Sequence, residues 1–95
     1  MHRIESGQQL REVFDAGVGC IFNDFEGDHE TSSSADFNKL HRASCEDCDP
    51  RRAASAMTVA TSGQKLFFPS FREAVGWLMQ NRPGNYSKCS RCNPR

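Results

Sequence analysis

Two short cysteine clusters decide how this chain folds. The first is His41-Arg42-Ala43-Ser44-Cys45-Glu46-Asp47-Cys48, and the second is Cys89-Ser90-Arg91-Cys92. A Cys-x2-Cys unit lets two thiolates converge on one cation from a tight turn, and two such units can complete a tetrahedral shell. The spacing therefore predicts a small domain that is stapled by one structural metal ion, with Zn²⁺ as the cation that such ligands favour.

The first cluster offers more ligands than one ion needs. His41 and Cys45 are separated by three residues, and Cys45 and Cys48 are separated by two. Either pair could join Cys89 and Cys92 around the ion. Spacing alone favours the pair Cys45 and Cys48. His41 is also within reach, so the fourth ligand is either His41 or Cys48.

The alternative use of paired cysteines is a disulfide framework, which needs an oxidising compartment. The N-terminus, Met1-His2-Arg3-Ile4-Glu5, has no apolar segment after its charges, and no stretch is long and apolar enough to span a bilayer. We therefore expect a reducing, cytoplasmic setting without membrane association. Cys20 lies outside both clusters and is expected to act as a small buried hydrophobe rather than as a reactive thiol.

The length of the chain bounds the number of domains, and the charge pattern divides the chain into two unlike halves. A chain of 95 residues holds one domain, near the size at which an apolar core alone is only marginally stabilising. The net charge is zero, but residues 1–50 carry 4 basic and 11 acidic side chains, a charge of −7, and residues 51–95 carry 8 and 1, a charge of +7. One half is acidic and the other is basic.

Residues 7–16 are predicted to form an amphipathic helix. Ser6 and Gln9 have the spacing of a capping box, in which the glutamine side chain reaches back to the serine amide. Gly17 then supplies a left-handed end. The apolar residues 18–22 follow and predict a buried strand.

The next stretch, residues 23–36, is acidic and rich in serine, with no apolar periodicity. Such a composition cannot bury enough surface to offset its ordering entropy, so we predict a flexible loop. Asp24, Asp28, His29 and Glu30 within it are candidate ligands for a hard divalent cation. Their spacing matches no cation-binding loop, and we assign no catalytic ion to them.

The remaining half is predicted to supply strands and a second helix. Residues 37–41 alternate between apolar and polar side chains and predict a strand that carries His41 into the first cluster. Residues 57–61 and 64–69, separated by Ser62-Gly63, predict a β-hairpin. Ser70 and Glu73 form a second capping box, and the helix that follows ends around Asn81. The apolar side chains expected in the core here are Met57, Phe71, Ala74, Val75, Trp77, Leu78 and Met79.

Together these elements predict a single α+β domain over residues 1–95. Its parts are a short antiparallel β-sheet or hairpin, two amphipathic helices, and a zinc-binding core over residues 37–94. A metal ion at the two clusters would add folding free energy that the small apolar core lacks.

Three pieces of this core resemble the small metal-binding domain of Ada-type DNA-alkylation repair proteins and related HxxxC…CxxC modules. They are Leu40-His41-Arg42-Ala43-Ser44-Cys45, Lys65-Leu66-Phe67-Phe68-Pro69-Ser70-Phe71-Arg72-Glu73-Ala74, and Lys88-Cys89-Ser90-Arg91-Cys92-Asn93-Pro94. The resemblance covers somewhat over half of the chain. It implies a shell of His41, Cys45, Cys89 and Cys92, with Cys48 as the alternative fourth ligand.

The resemblance also bears on activity. The Ada-type domain uses a zinc-bound cysteine of the first cluster as a methyl acceptor, and His41 occupies the corresponding position here. Imidazole cannot replace a zinc thiolate as the sacrificial nucleophile, so this departure argues against methyl transfer. What the resemblance still implies is a domain that faces nucleic acid.

The predicted function is therefore a non-catalytic zinc module that binds nucleic acid, most readily DNA. The basic residues around the two clusters would contact phosphates, and their affinity should fall with salt; they are Arg51, Arg52, Lys88, Arg91 and Arg95. The alternative is a small regulator or inhibitor that meets a protein partner through the acidic loop 23–36. An enzyme is the least favoured class, because five candidate ligands for four places leave no open position on the ion.

Overall fold

The structure is a computed structural model that describes residues 1–24, 38–49, 51 and 64–95. This part of the chain contains two helices, five strands and one 3₁₀ turn at Glu46–Cys48. In chain order the helices and strands are β1 (His2–Ile4), α1 (Gly7–Ala16), β2 (Cys20–Asp24), β3 (Lys39–Arg42), β4 (Gln64–Phe68), α2 (Phe71–Asn81) and β5 (Ser87–Lys88). The α+β class is confirmed, and within these residues neither helix has the length and apolar composition to cross a membrane.

The five strands form one sheet in the order β1-β4-β2-β3-β5. Three of the pairings are antiparallel, whereas β3 and β5 run parallel, so the sheet is mixed and not antiparallel as predicted. β4 corresponds to the second strand of the predicted hairpin, and its neighbours are β1 and β2. The first strand of that hairpin, at 57–61, lies outside the described residues.

Side chains alternate between the two faces of the sheet, as the pleat requires. Ile21 of β2 packs with Leu10 of α1, and this side is called the α1 face below. Cys20 and Phe22, its neighbours in β2, pack with Leu78 of α2 on the opposite side, the α2 face. The described part of the chain therefore has three layers, with one helix on each side of the sheet.

Both helices begin as predicted. The Ser6 hydroxyl accepts a hydrogen bond from the Gln9 amide at 3.1 Å, and the Ser70 hydroxyl accepts one from the Glu73 amide at 3.2 Å. The reach-back of Gln9 differs in detail, because its Oε1 accepts from the amide of Glu5 and not from that of Ser6. α1 ends at Gly17, whose φ of 68° is the left-handed conformation that glycine tolerates.

The strand predicted at 18–22 starts later than expected. Val18 is exposed, and β2 begins at Cys20. The reason is Gly19, which has a φ of 87° and lies so close to β4 that a Cβ there would meet the carbonyl oxygen of Phe68. Cys20 is buried in the core of the α2 face as predicted, and burial raises the pKa of its thiol.

The predicted core of α2 needs one correction. Met79 was expected to be buried, but its side chain is 64% exposed. Trp77, half-buried, packs its ring against Phe22 and Phe68, with ring centroids 6.5 and 5.7 Å away. Met57 lies outside the described residues.

The predicted boundary of the acidic loop is also wrong. Asn23 and Asp24 belong to β2 and are buried, so the loop cannot begin at residue 23. Asp24 accepts two hydrogen bonds from Arg82, at 2.9 Å to Nε and 2.8 Å to Nη2, and a third from Gln64 at 2.7 Å. This carboxylate joins the end of β2 to the end of α2 and is not part of a cation site or an acidic surface. The rest of the predicted loop, 25–36, lies outside the described residues.

Candidate metal centre

Four side chains converge at one edge of the α1 face. Each offers one ligand atom, and these atoms all lie within 4.8 Å of one another; the residues are His41, Cys45, Cys89 and Cys92. In a tetrahedral zinc site with Zn–S distances of about 2.3 Å, neighbouring ligand atoms are somewhat under about 4 Å apart. A small inward adjustment of the side chains is enough to bring all four onto one ion.

β3 and the turn after it deliver the first two ligands. His41 lies directly opposite Ile21 in the register of β2 and β3, which directs its side chain to the α1 face. The chain then turns at Ala43 and Ser44, and the amide of Cys45 donates to the carbonyl of Arg42 at 2.9 Å. Cys45 thus returns to the level of His41 immediately before the 3₁₀ turn.

The parallel pairing of β3 with β5 brings in the second cluster. Leu40 lies opposite Lys88, and the amide of Cys89 donates to the carbonyl of Leu40 at 2.9 Å. The amide of Asn93 donates to the carbonyl of Cys89 at 2.9 Å and closes the turn that contains Cys92. Asn93 has a φ of 48°, a left-handed conformation that asparagine adopts more readily than most residues.

The surroundings of the four ligand atoms fit a metal ion. The Nδ1 atom of His41 is buried and has no hydrogen-bond partner, which costs about 1–3 kcal/mol in a protein interior unless a ligand satisfies it. The amide of Arg42 donates to the sulfur of Cys92 at 3.3 Å. Hydrogen bonds from backbone amides stabilise thiolates, which are the form of cysteine that binds metals. An imidazole and three sulfurs are also the donor set of a structural zinc site.

The thiols of the site have unequal pKa values in the metal-free protein. A hydrogen bond from the Cys48 thiol lowers the pKa of Cys45 to about 4, with further contributions from the Asp47 amide and from His41 that outweigh burial. Burial raises the pKa of Cys92 to about 12. Metal binding would have to displace the proton of Cys92, because its raised pKa opposes formation of the thiolate that a metal requires.

Cys48, the alternative fourth ligand, lies beside this group and outside it. Its side chain is fully buried, and its sulfur lies 3.7 Å from the carbonyl oxygen of Arg42. The hydrogen bond to Cys45, together with burial, raises the pKa of Cys48. The geometry thus brings together the set that the Ada-type resemblance implied, and not the four-cysteine set that spacing alone favoured.

Asp47 connects the two clusters from outside the ligand group. Its Oδ1 accepts from Arg91 at 3.0 Å, and its Oδ2 lies 3.9 Å from the sulfur of Cys89. Arg42 makes a second connection, since its Nη2 donates to the carbonyl of Asn93 at 3.1 Å. Sequence reasoning missed these contacts, because they join residues that lie more than 40 positions apart in the chain.

The described members of the basic set predicted to bind nucleic acid have different neighbours. Arg51 pairs with Asp15 at 2.8 Å and with Asp49 at 3.1 Å, so it lies against α1. The ammonium group of Lys88 lies 5.3 Å from the centre of the ring of Phe71, which belongs to α2 on the other side of the sheet. Arg91 pairs with Asp47 and Arg95 lies beside Asn93, while Arg52 is outside the described residues.

Comparisons of the chain with protein-family models, with curated proteins and with solved structures find no match. The likeness to the Ada-type domain therefore has no support from a relative. What the structure does bear out is the cluster of one histidine and three cysteines, which can hold a metal ion.

Proposed function

We propose that this domain is a non-catalytic module whose two halves are held together by one structural Zn²⁺. The observation that supports it is the convergence of His41, Cys45, Cys89 and Cys92 within 4.8 Å, from two clusters far apart in the sequence. Three sulfurs and one imidazole favour Zn²⁺ over the hard cations Mg²⁺ and Ca²⁺. When bound, the ion supplies folding free energy.

A closed shell of four protein ligands also argues against catalysis. A catalytic zinc keeps a position for water or substrate, whereas these four side chains complete a tetrahedron. In the Ada-type plan the methyl acceptor would stand at His41, and an imidazole is not a sacrificial nucleophile. We therefore propose a structural role for the ion and no alkyl transfer.

The proposed site requires reduced thiols. All five cysteines are free, and none is joined in a disulfide. Cysteines persist in this state in reducing compartments. We accordingly propose that the domain works in such a compartment.

Native mass spectrometry with and without a chelator tests the zinc site. We expect one zinc ion in the wild type and in Cys48→Ser, and loss or weakening of zinc binding in His41→Ala. Cys20→Ser is the matched control, because Cys20 is equally buried but packs on the opposite face. Retention of zinc by His41→Ala together with its loss from Cys48→Ser would contradict the proposed ligand set.

For the partner we propose nucleic acid, supported by the +7 charge of residues 51–95. The carboxylate pairs of Arg51 and Arg91 reduce the positive charge that these two present, so we expect modest affinity. Fluorescence anisotropy with labelled duplex DNA, single-stranded DNA and RNA should show binding that weakens steeply as salt rises. Absence of salt-sensitive binding at low ionic strength would remove this proposal and favour a protein partner.

A further inference from the structure

A polar cavity of about 200 Å³ lies between the end of α1 and the start of α2. It is smaller than the about 300–1,000 Å³ of pockets that take drug-sized ligands, so it suits a small group. Most of its lining is polar. Its residues are Gly17, Gly19, Cys20, Arg42, Ser44, Ser70, Phe71 and Arg95.

Two arginines in this lining converge on one neutral residue. Arg42 donates through Nε and Nη2 to the carbonyl oxygen of Asn93, at 3.4 and 3.1 Å. With the Asn93 amide oriented to satisfy its neighbours, its side-chain oxygen accepts from Nη2 and Nε of Arg95, at 2.9 and 3.3 Å. Two guanidinium groups therefore contact Asn93, and no carboxylate side chain belongs to the described lining of the cavity.

Among the described residues, Arg42 and Arg95 form no ion pair with a carboxylate side chain. Arg51, Arg82 and Arg91 each pair with an aspartate in the described chain. Arg42 and Arg95 instead use neutral oxygens of Asn93, and a guanidinium has five N–H donors, so both retain donors for a further acceptor. An anion that lies between these two side chains would accept hydrogen bonds from both guanidinium groups.

The rest of the lining suits an oxyanion. The hydroxyls of Ser44 and Ser70 can donate hydrogen bonds, and guanidinium groups match the geometry of phosphate oxygens. Phe71 is the first residue of α2, and the first amides of a helix have no acceptor within the helix.

We infer that this cavity is a binding site for a phosphate dianion, either free or as a phosphate monoester, with Arg42 and Arg95 as its principal contacts. The inference goes beyond the structural zinc proposed above, because neither arginine is a metal ligand. Two guanidinium groups match a doubly charged monoester better than a singly charged diester. The metal centre would still position the site, since Arg42 follows His41 and Arg95 lies three residues after Cys92.

The test is a titration of the zinc-loaded protein, followed by ¹H–¹⁵N NMR, with inorganic phosphate, phenyl phosphate and dimethyl phosphate. We expect the first two to shift the amides of Gly19, Ser44 and Phe71, and the diester to bind at least about ten-fold more weakly. Arg42→Gln and Arg95→Gln should each weaken phosphate binding by on the order of ten-fold. Arg11→Gln, the same change on the exposed side of α1, should leave it unaltered.

Three results would overturn the inference. They are shifts that do not concentrate at the cavity, equal binding of the diester, and equal affinity of Arg42→Gln, Arg95→Gln and Arg11→Gln. Zinc content is measured on every sample. If the zinc-loaded protein does not bind phosphate, only the anion site is refuted. If the protein contains no zinc, the metal proposal is refuted.

Discussion

The two faces of the sheet are closed by different chemistry. The α2 face is filled by large apolar side chains, among them Phe22, Leu40, Phe68 and Leu78, with Trp77 at its margin. The α1 face has Ile4, Leu10 and Ile21 as its large buried members, and cysteines occupy much of the remainder. The proposed metal ion, when bound, would stabilise the α1 face as packed hydrocarbon stabilises the α2 face.

The two faces also differ in their ion pairs. Asp24 is fully buried and bonds Arg82 through both carboxylate oxygens, and Arg82 lies 5.1 Å from the centre of the Trp77 ring. Asp15 and Arg51, beside α1, each keep half of their side-chain surface in water. Loss of one partner destabilises the protein far more when the ion pair is removed from solvent than when the pair is exposed.

Removal of the metal should produce the largest effect. Structural zinc sites in small domains contribute about 10–16 kcal/mol of apparent binding free energy, which is comparable with the whole stability of a domain. We expect a chelator to increase hydrogen exchange at 39–49 and 87–95 first, and in α2 less. Cys89→Ser should behave like the chelated protein and Cys20→Ser like the wild type. An equal increase in hydrogen exchange on both faces would show that the two faces do not differ in their dependence on the metal.

Loss of the buried carboxylate should come next. Asp24→Asn removes the buried negative charge that Arg82 contacts through Nε and Nη2, and we expect a loss of about 3–5 kcal/mol in the free energy of unfolding. Asp15→Asn, the same change in an exposed pair, should cost less than about 1 kcal/mol. Urea denaturation of the zinc-loaded variants measures both. Similar values for the two would mean that burial does not distinguish these pairs.

The smallest effect concerns two glycines. Gly19→Ala places a Cβ against the carbonyl of Phe68 at a positive φ, and we expect it to destabilise the protein by about 2 kcal/mol or more. Gly76, inside α2, has open space around it, so Gly76→Ala should stabilise the protein by about 0.5–1 kcal/mol. The midpoint temperature of thermal unfolding should therefore fall for Gly19→Ala and rise for Gly76→Ala. A shift in the same direction for both would contradict the close approach of Gly19 to β4.

Several features of the fold could be predicted because their causes are local. Helix α1 at 7–16, both serine caps and the left-handed Gly17 follow from residues within a few positions of one another. The burial of Cys20 followed from its apolar neighbours. The exposure of Val18 and Met79 was missed, because apolar character does not reveal which side of an element meets the core.

The strands at the two edges of the sheet carry no comparable local signal. β1 has three residues and β5 has two, too few to show a periodicity. Asp24 likewise looked like part of an acidic loop, and its burial depends on Arg82, which lies in the other half of the sequence. Pairings of this kind form only when distant segments meet.

By itself, the sequence determined that this is a small α+β domain with two capped helices and two clusters of metal-binding side chains. It left the fourth ligand open, because His41 and Cys48 are both at suitable spacings from Cys45. The tertiary structure groups His41, and not Cys48, with the other three side chains. The register of β2 and β3 directs His41 to the α1 face, and the parallel contact of β3 with β5 places Cys89 beside it. The physical reason is that spacing limits which residues can share an ion, whereas the sheet decides which ones meet.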